Sequence, residues 1–565
     1  MGKRRNNTQN VIAQASILMA AGLVVRIIGV LYRSPVTGII GDEGNGYYSI
    51  AYNIYAMVLL ISSYSIPMAV SKVVSGKLAL KQYREAHKVF RCALLYVLVV
   101  GGIAMGLTFL FAPVLIPESQ SNAVPVLRIL APAVFLSGFL GVIRGYFQAH
   151  ATMVPTSISQ VVEQVANAVV SIGAAVLFIH WFAGGKEENR PVFGAMGSAA
   201  GIVAGVAAGL IFMVWIYRRN RSYFKAHCER DTSGEDSSYG EIFKIIFFMV
   251  TPVILSTFVY NISATIDQTL FMDVMDYKKM APETAAILYG VFAGKYWVLI
   301  NVPVALANSM STAMIPAVSS AYTLGEKEEC GLQIKQAIHF TMLISIPSAV
   351  GLTVMARPVM EVLFPQKSTM DLAVGLLYMG SVSVVFYCLS TITNGVLQGI
   401  GKVNIPLRNA AVSLVLHVLM LSALLYFTDM KLSALVVSNI AYALFMCVMN
   451  GYSVRKYLGY RQEIKKTFLL PSFAALGMGV VSYVFYQGLH LIVFAAAGRI
   501  LPDRVLVLLC LLLSVAFAVA VYFLLLLKCK GVTEGELQRF PKGNTVVRYA
   551  KKMHLLAEEE RPEEA

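Results

Sequence analysis

Long apolar segments dominate this chain and leave it few ways to fold. About fourteen runs of roughly 20 residues, the length that a helix needs to cross the hydrocarbon core of a bilayer, can be marked along it. They cover residues 11–32, 47–70, 89–111, 123–147, 157–182, 193–217, 242–272, 285–310, 338–355, 372–397, 406–427, 432–452, 468–489 and 501–527. With 57% hydrophobic and 14% charged residues, the composition fits lipid as the main solvent. We predict an all-α polytopic membrane protein of about fourteen helices, with twelve as the alternative count.

The formal net charge of +15 is distributed in a way that indicates membrane topology. If the N-terminus is cytoplasmic, the loops on that side carry most of the basic residues, namely Lys77, Lys81, Arg84, Lys88, Arg91, Arg218, Arg219, Arg221, Lys225, Arg230, Arg455, Lys456, Arg461, Lys465 and Lys466. The opposite loops at 117–122 and 428–429 contain no Lys or Arg. Because cytoplasmic loops are enriched in Lys and Arg, the sequence predicts a cell-membrane protein with both termini in the cytoplasm. Topology therefore explains the excess charge, and we expect no nucleic-acid partner.

The cysteines and histidines offer no recognisable metal or redox site. The 7 cysteines and 8 histidines are scattered, without a CxxC pair, a zinc-site spacing or an HExxH motif. We predict no metal and no cofactor. For transport, the sequence leaves three driving forces open: a coupled flow of Na⁺, a coupled flow of H⁺, or the membrane potential.

An internal repeat relates two halves of the chain. At a shift of 250 residues, Ala123, Val124, Leu127, Val134, Gly145 and Gln148 match Ala373, Val374, Leu377, Val384, Gly395 and Gln398. In both halves a proline follows, Pro155 in the first and Pro406 in the second. Chance similarity between apolar segments is the alternative, but the matches include Gln, Gly and Pro.

The repeat predicts the domain organisation. We expect an N-terminal six-helix bundle at 1–217, a cytoplasmic linker at 218–240, a C-terminal six-helix bundle at 241–456, helices thirteen and fourteen at 457–527, and a cytoplasmic tail at 528–565. An even number of helices per bundle gives both bundles the same orientation, with a pseudo-two-fold axis along the membrane normal. Such bundles can enclose a central cavity and alternate its access by rocking. Helices thirteen and fourteen should pack outside this core.

Ionisable side chains inside the predicted helices are candidates for function, because each costs about 2.5–3.5 kcal/mol near the bilayer centre. Five such residues lie within the predicted helices, namely Arg26, Arg144, Glu163, Asp267 and Lys295. Two more, Arg33 and Lys72, lie at the ends of predicted helices. Arg144 and Glu163 could form a structural ion pair, with a charge-tuning or coupling role as the alternative.

Arg26 and Lys295 come from different halves and have only Asp267 as an obvious buried acid to share. The surplus positive charge predicts a hydrated cavity that attracts anions. Arginine suits phosphate or diphosphate, because its planar fork binds two oxygens at once. Thr251-Pro252 predicts a kink in the seventh run.

Several motifs resemble one known family. Arg26-Ile-Ile-Gly29-Val-Leu-Tyr32-Arg33, the segment from Gly41 to Tyr52, and Arg144-Gly-Tyr-Phe-Gln148 are similar to the SpoVB/YtgP-type polysaccharide biosynthesis proteins. These belong to the multidrug/oligosaccharidyl-lipid/polysaccharide (MOP) exporter superfamily, whose MurJ branch comprises lipid II flippases with two additional C-terminal helices. The resemblance covers nearly the whole chain.

The resemblance implies translocation of an undecaprenyl-diphosphate-linked glycan to the outer leaflet, by a protein that is not an enzyme and works as a monomer among membrane lipids. It implies substrate-binding roles for Arg26, Arg33 and Lys72, to which the charge argument adds Lys295. Asp267, Glu163 and Arg144 would couple transport or tune charge. Sporulation and vegetative cell-wall synthesis both remain open as the setting.

Two other functions remain as alternatives. A MATE-like cation-coupled drug antiporter would need an acid-rich cavity, which the cationic surplus argues against. A membrane scaffold without transport would leave the buried charges unexplained. An enzyme would need catalytic side chains in a sizeable loop, and the longest internal loop, 218–240, lacks such a group.

Overall fold

The structure is a computed structural model of the chain. It describes residues 2–60, 62, 66–150, 152–229, 231, 238–497, 502–529, 531–532 and 548. Within these ranges, side chains are described except at 2–20, 23, 68, 69, 79, 246, 249–261, 312, 313, 316, 317, 320, 323, 496 and 497. The predicted kink at Thr251-Pro252 lies outside the described side chains.

The described residues form helices and no strand, which confirms the all-α prediction. The α-helices are α1 (Gly2–Leu59), α2 (Ile66–Ala79), α3 (Tyr83–Leu110), α4 (Ala112–Leu115), α5 (Val124–Ala149), α6 (Val154–Phe182), α7 (Arg190–Arg219), α8 (Arg221–Glu229), α9 (Tyr239–Tyr277), α10 (Pro282–Val291), α11 (Trp297–Thr323), α12 (Lys327–Val354), α13 (Ala356–Leu363), α14 (Met370–Gly380), α15 (Ser383–Gly399), α16 (Asn404–Phe427), α17 (Leu432–Leu458), α18 (Leu470–Ala497) and α19 (Asp503–Lys528). Each predicted apolar run overlaps at least one of them.

The number of spans agrees with the predicted architecture. Among the described residues, 11 helices are long and apolar enough to cross a membrane, or 12 if α14 and α15, bent by 50°, form one span. The first two predicted runs share α1, and the seventh corresponds to α9, whose middle lies outside the described side chains. The predicted runs and the observed spans therefore describe the same set of helices.

The first two runs are joined in a way that the sequence did not predict. We expected a loop between residues 32 and 47, but α1 is helical through this stretch apart from a break at Gly41 (φ 74°, ψ 178°). Glycine tolerates this backbone conformation, which is strained for residues with a Cβ. The stretch looks like a loop in sequence because it is polar, yet Asp42 and Asn45 are buried.

The chain divides into two compact units. The first comprises residues 1–298, 364–366 and 418–432, and the second comprises 299–363, 367–417 and 433–565. A large apolar core in the first unit joins α2, α3, α5 and α7 through residues such as Val89, Phe90, Tyr146 and Met213. The predicted bundle boundaries and the pseudo-two-fold axis stay predictions.

Helices α18 and α19 belong to the second unit. They pack against each other, α18 also contacts α12, and α19 contacts α13. Large apolar side chains on both helices remain exposed, among them Phe473, Val480, Leu491 and Leu512. These exposed faces are suited to lipid. The packing of this helix pair outside a two-bundle core stays a prediction.

Glycines set the distance between α6 and α7. Gly197, Gly201, Gly205 and Gly209 recur every four residues on α7 and lie against α6. A Cβ added at Gly197 would lie 2.4 Å from the Ala174 carbonyl oxygen, and one at Gly205 would lie 2.6 Å from that of Glu163. Small residues at this spacing let membrane helices approach closely. The contact fixes the position of Glu163.

Gly201→Ala is expected to lower the melting temperature of the purified protein. Its Cβ would lie 2.0 Å from Ser171 Oγ and 2.6 Å from the Ser171 backbone nitrogen. Overpacking of this kind costs about 1–3 kcal/mol. Gly173→Ala is the matched control, because nothing lies within 4 Å of a Cβ there. Thermal denaturation in detergent should destabilise only Gly201→Ala, and equal melting temperatures would contradict this packing.

Candidate functional site

Two predicted arginines lie on α1 within the first unit. Arg26 is exposed and Arg33 is half-buried. The guanidinium carbon of Arg33 lies 5.6 Å from the ring centroid of Tyr48, in a cation–π contact. This contact orients the Arg33 side chain toward the segment of α1 that follows the break at Gly41.

A stripe of tyrosines continues this surface along α1. Tyr48 and Tyr52 stack with ring centroids 5.8 Å apart and an interplanar angle of 14°. Tyr52 and Tyr55 follow at 5.8 Å. Tyr52 remains 36% exposed and lies within electrostatic range of Arg26, Arg33 and Glu163. It therefore marks the point at which the charges of α1 and α6 meet.

Arg144 and Glu163 form the ion pair that the sequence suggested. Arg144 Nη2 lies 2.7 Å from Glu163 Oε2, and Arg144 Nε donates to Ser159 Oγ at 2.8 Å. The two side chains are 14% and 29% exposed. Partial exposure leaves the pair accessible to water, so it can exchange partners. A role in coupling or charge tuning stays a prediction.

Polar side chains of α6 line the boundary with α1. Asn167 Nδ2 donates to the Tyr32 hydroxyl at 3.5 Å, and Ser171 Oγ donates to Asn167 Oδ1 at 2.9 Å. A Cβ at Gly29 would lie 3.4 Å from Gln164 Nε2, so α1 and α6 are in contact here. We call the surface formed by Arg26, Arg33, Tyr52, Arg144 and Glu163 the cationic face. Its three cations and one carboxylate leave two positive charges in excess.

Lys295 does not join the cationic face. Its Nζ lies 2.8 Å from Asp42 Oδ1 and 2.9 Å from Asp42 Oδ2, with the two side chains only 1% and 5% exposed. The ring of Phe364 lies 5.9 Å from Nζ. The expectation that Lys295 faces water is wrong for this structure, because Lys295 is buried in an ion pair with Asp42. In the sequence, Asp42 falls in a predicted loop between two helices and is therefore not counted among the buried acids.

Backbone packing around this pair is close. A Cβ at Gly46 would lie 2.1 Å from the Ala286 carbonyl oxygen, and one at Gly290 would lie 2.1 Å from that of Asp42. Lys295 lies in a π-helical turn, Phe292–Tyr296, which continues α10. Such turns are frequent at functional sites in helices. Glycine on both helices thus brings α1 and α10 close enough for the ion pair to form.

Asp267 lies in a separate polar cluster of the first unit. It is buried in α9 and acts electrostatically on Tyr289. The neighbouring Gln268 accepts from Asn53 Nδ2 at 2.7 Å, and Asn53 also donates to the Tyr289 hydroxyl at 2.8 Å. Asp267 is therefore part of a polar network, and its coupling role stays a prediction.

Lys72 is exposed on α2, and its role toward substrate likewise stays a prediction. No group of three or more His, Cys, Asp or Glu side chains in the described part of the chain could hold a metal ion. Sequence reasoning missed Tyr48, Tyr52 and Asp42 as functional residues. The four-residue spacing of Tyr48 and Tyr52 was the available signal, since it places both rings on one helix face.

The structure is that of a multi-pass α-helical membrane protein, because at least 11 described helices are long and apolar enough to span a bilayer. Its first unit carries the cationic face. The family model described as "Lipid II flippase MurJ" matches residues 82–500. The chain belongs to this family. Arg26 and Arg33 precede the matched segment.

Two curated relatives and one solved structure agree with this assignment. The lipid II flippase MurJ of Bacillus subtilis is 25% identical over 483 residues, covering 82% of this chain and 86% of the relative. Stage V sporulation protein B of the same organism is 23% identical, covering 93% and 96%. A structure of "Lipid II flippase MurJ, inward closed conformation" superimposes with a TM-score of 0.64 at 13% identity, covering 90% of this chain and 97% of that one, and so confirms the fold.

Proposed function

We propose that this protein moves an undecaprenyl-diphosphate-linked glycan, such as a lipid II-like cell-wall precursor, from the cytoplasmic to the outer leaflet of the cell membrane by alternating access. The observation that carries the proposal is the excess of two positive charges on the cationic face. An acid-rich cavity, as a drug antiporter for cations would need, is not what these residues form.

The chemistry of a diphosphate suits the cationic face. Each guanidinium can donate two parallel hydrogen bonds to phosphate oxygens, and such charge-assisted bonds are roughly twice as strong as neutral ones. Arg26 is exposed and Arg33 is already oriented by Tyr48, so one arginine can capture the head group and the other can align it. The exposed ring of Tyr52 offers an apolar contact beside them.

Alternating access also requires a closure that can open. We assign this role to the Asp42–Lys295 pair, which joins α1 to the π-helical turn after α10. Gly41 is 15 residues beyond Arg26, about 22 Å along a helix, and Asp42 directly follows the break at Gly41. If the N-terminus is cytoplasmic, as the distribution of basic residues predicts, the pair lies toward the outer surface. Opening that end would separate two charges that are now buried together, so the closed state is favoured until substrate binding offsets the cost.

Glu163→Gln is expected to slow transport several-fold without loss of substrate binding. The substitution leaves Arg144 without its carboxylate, so the cationic face gains charge and should hold the diphosphate longer. Release would then limit turnover. Single-turnover and multiple-turnover translocation in proteoliposomes separate the two steps. Faster multiple turnover in Glu163→Gln than in wild type would contradict the charge-tuning role.

A translocation assay in proteoliposomes tests the proposed function. Fluorescent undecaprenyl-diphosphate glycan is reconstituted in both leaflets, and a membrane-impermeant reductant bleaches the outer pool. Wild-type protein should bring the inner pool to the reductant, whereas protein-free vesicles should protect it. Efflux of a cationic dye without movement of the lipid would reject the proposal in favour of an antiporter. If wild-type protein moves neither the lipid nor the dye, the result would favour a membrane scaffold without transport.

A further inference from the structure

A cavity of about 370 Å³ lies in the second unit, beside the end of α17. Ile338 of α12 and Val454 of α17 are buried in its wall, and Ile464 lines it from the start of the next helical segment. Pockets of this size are typical of small-ligand sites, which are mostly apolar with a few polar groups. This cavity is unrelated to the cationic face, which belongs to the first unit.

Positive charge surrounds the apolar wall. Arg455, in the last turn of α17, and Arg461, in the loop, both line the cavity and are exposed. The segment 455–466 holds five basic residues and a single acid, Glu463, which pairs with Lys335 at 2.9 Å. Among the described residues, neither Arg455 nor Arg461 has a carboxylate within 4.0 Å. Both guanidinium groups can therefore bind an anion.

The cavity also contains a buried donor without a partner. The Nε2 atom of Gln462 is shielded from solvent and has no hydrogen-bond acceptor among the described residues. Buried polar groups in folded proteins are nearly always paired, so this donor is available to an acceptor that enters the cavity. A phosphate or ester oxygen would supply one.

Tyr460 adds a further donor at the same place. It lines the cavity, and burial raises the pKa of its phenol to about 12. The hydroxyl therefore stays protonated at physiological pH. A ligand bound here would meet two cations and two neutral donors above an apolar wall.

We propose that this cavity binds one anionic phospholipid of the cytoplasmic leaflet, with its phosphate on Arg455 and Arg461 and part of an acyl chain against Ile338, Val454 and Ile464. Charge complementarity and the apolar wall together select a lipid over a soluble anion. Basic pockets between membrane helices on the cytoplasmic side recognise anionic lipids for these reasons. The site requires only that the protein is in a membrane, so it does not depend on the transported substrate.

Native mass spectrometry of the detergent-purified protein tests the proposal with phosphatidylglycerol and phosphatidylcholine of identical acyl chains. Wild type should prefer phosphatidylglycerol by on the order of tenfold or more, as expected for charge-assisted bonds. Arg455→Gln/Arg461→Gln should lose the preference. Arg218→Gln/Arg219→Gln, which removes two exposed arginines from the end of α7, is the control and should keep it. An unchanged preference in the first variant would overturn the proposal.

Two further measurements distinguish a lipid site from a site for soluble anions and locate the lipid in this cavity. Inorganic phosphate alone should leave the melting temperature unchanged, and a shift equal to that from phosphatidylglycerol would overturn the lipid assignment. Gln462→Leu should raise the melting temperature of lipid-free protein, because it removes an unsatisfied donor, and should weaken phosphatidylglycerol binding several-fold. A lower melting temperature with unchanged lipid binding would overturn the placement of the lipid in this cavity.

Discussion

Arg26→Ala is expected to weaken binding of an undecaprenyl-diphosphate glycan by about 10- to 100-fold, because hydrogen bonds to a charged group contribute about 1.5–3 kcal/mol and each 1.4 kcal/mol is tenfold. Arg26 is exposed, so its loss removes a ligand without opening the core. Arg26→Lys should restore part of the affinity, since an ammonium keeps the charge but lacks the planar fork. Lipid binding to purified protein measures the effect.

The matched control is Arg190→Ala. Arg190 is an exposed arginine at the start of α7 and pairs only with the exposed Glu187 at 2.9 Å among the described residues. Its removal lowers the net charge by the same amount but should leave substrate binding unchanged. Equal losses in Arg26→Ala and Arg190→Ala would mean that affinity follows net charge, and the assigned role of Arg26 would fail.

Lys295→Met is expected to destabilise the protein by about 3–5 kcal/mol, because it leaves the carboxylate of Asp42 buried without its counter-ion. The double variant Asp42→Asn/Lys295→Met should regain much of the stability, since replacing both charges removes the unpaired ion. Denaturation in detergent, followed by circular dichroism, measures both. Lys278→Met is the control. Lys278 pairs with the 97% exposed Asp429, and surface pairs contribute only about 0–1 kcal/mol.

The double variant also tests the closure. It should remain folded but lose the bias toward the closed outer end. A cysteine-reactive probe should therefore label a cysteine placed beside position 42 faster in the double variant than in wild type. Equal labelling rates would show that the pair stabilises the fold without controlling access.

Hydropathy predicted the helices well because a membrane helix must satisfy its own backbone and present apolar side chains to lipid, and both requirements are local. Ends were less well predicted. The polar segment from Gly41 to Asn45 has the composition of a loop, yet it continues α1, since its polar groups find buried partners both within α1 and beyond it. Thr37 accepts from Asn45 at 2.8 Å, and Asp42 pairs with a residue 253 positions away.

The candidate site was predictable in part, because an ionisable residue inside an apolar helix is energetically costly and is therefore conspicuous in the sequence. Arg26, Arg144 and Glu163 stood out because ions within apolar runs are expensive, and the Arg144–Glu163 pair followed from their places on successive helices. Lys295 shows the limit of this reasoning. Counting charges does not show which acid pairs with Lys295. The Asp42–Lys295 contact depends on glycines of α1 and α10, which allow the two backbones to approach closely.

The tyrosine stripe illustrates a second limit. Tyrosines are common in apolar helices, and only the contact of Arg33 with Tyr48 and the exposure of Tyr52 distinguish these rings from packing residues. The Arg33–Tyr48 contact depends on the break at Gly41 within α1, and the exposure of Tyr52 depends on how the neighbouring helices pack around it. Neither can be deduced from the tyrosine spacing alone.

Recognition of the diphosphate by the cationic face is tested by comparing translocation of two lipids that share the glycan and the polyprenyl chain but carry a diphosphate or a monophosphate. Initial rates are measured in proteoliposomes for wild type and for Arg26→Ala/Arg33→Ala. We expect wild type to prefer the diphosphate lipid strongly and the double variant to move both lipids slowly, without preference. A diphosphate preference that survives in the double variant would contradict recognition of the head group by the cationic face.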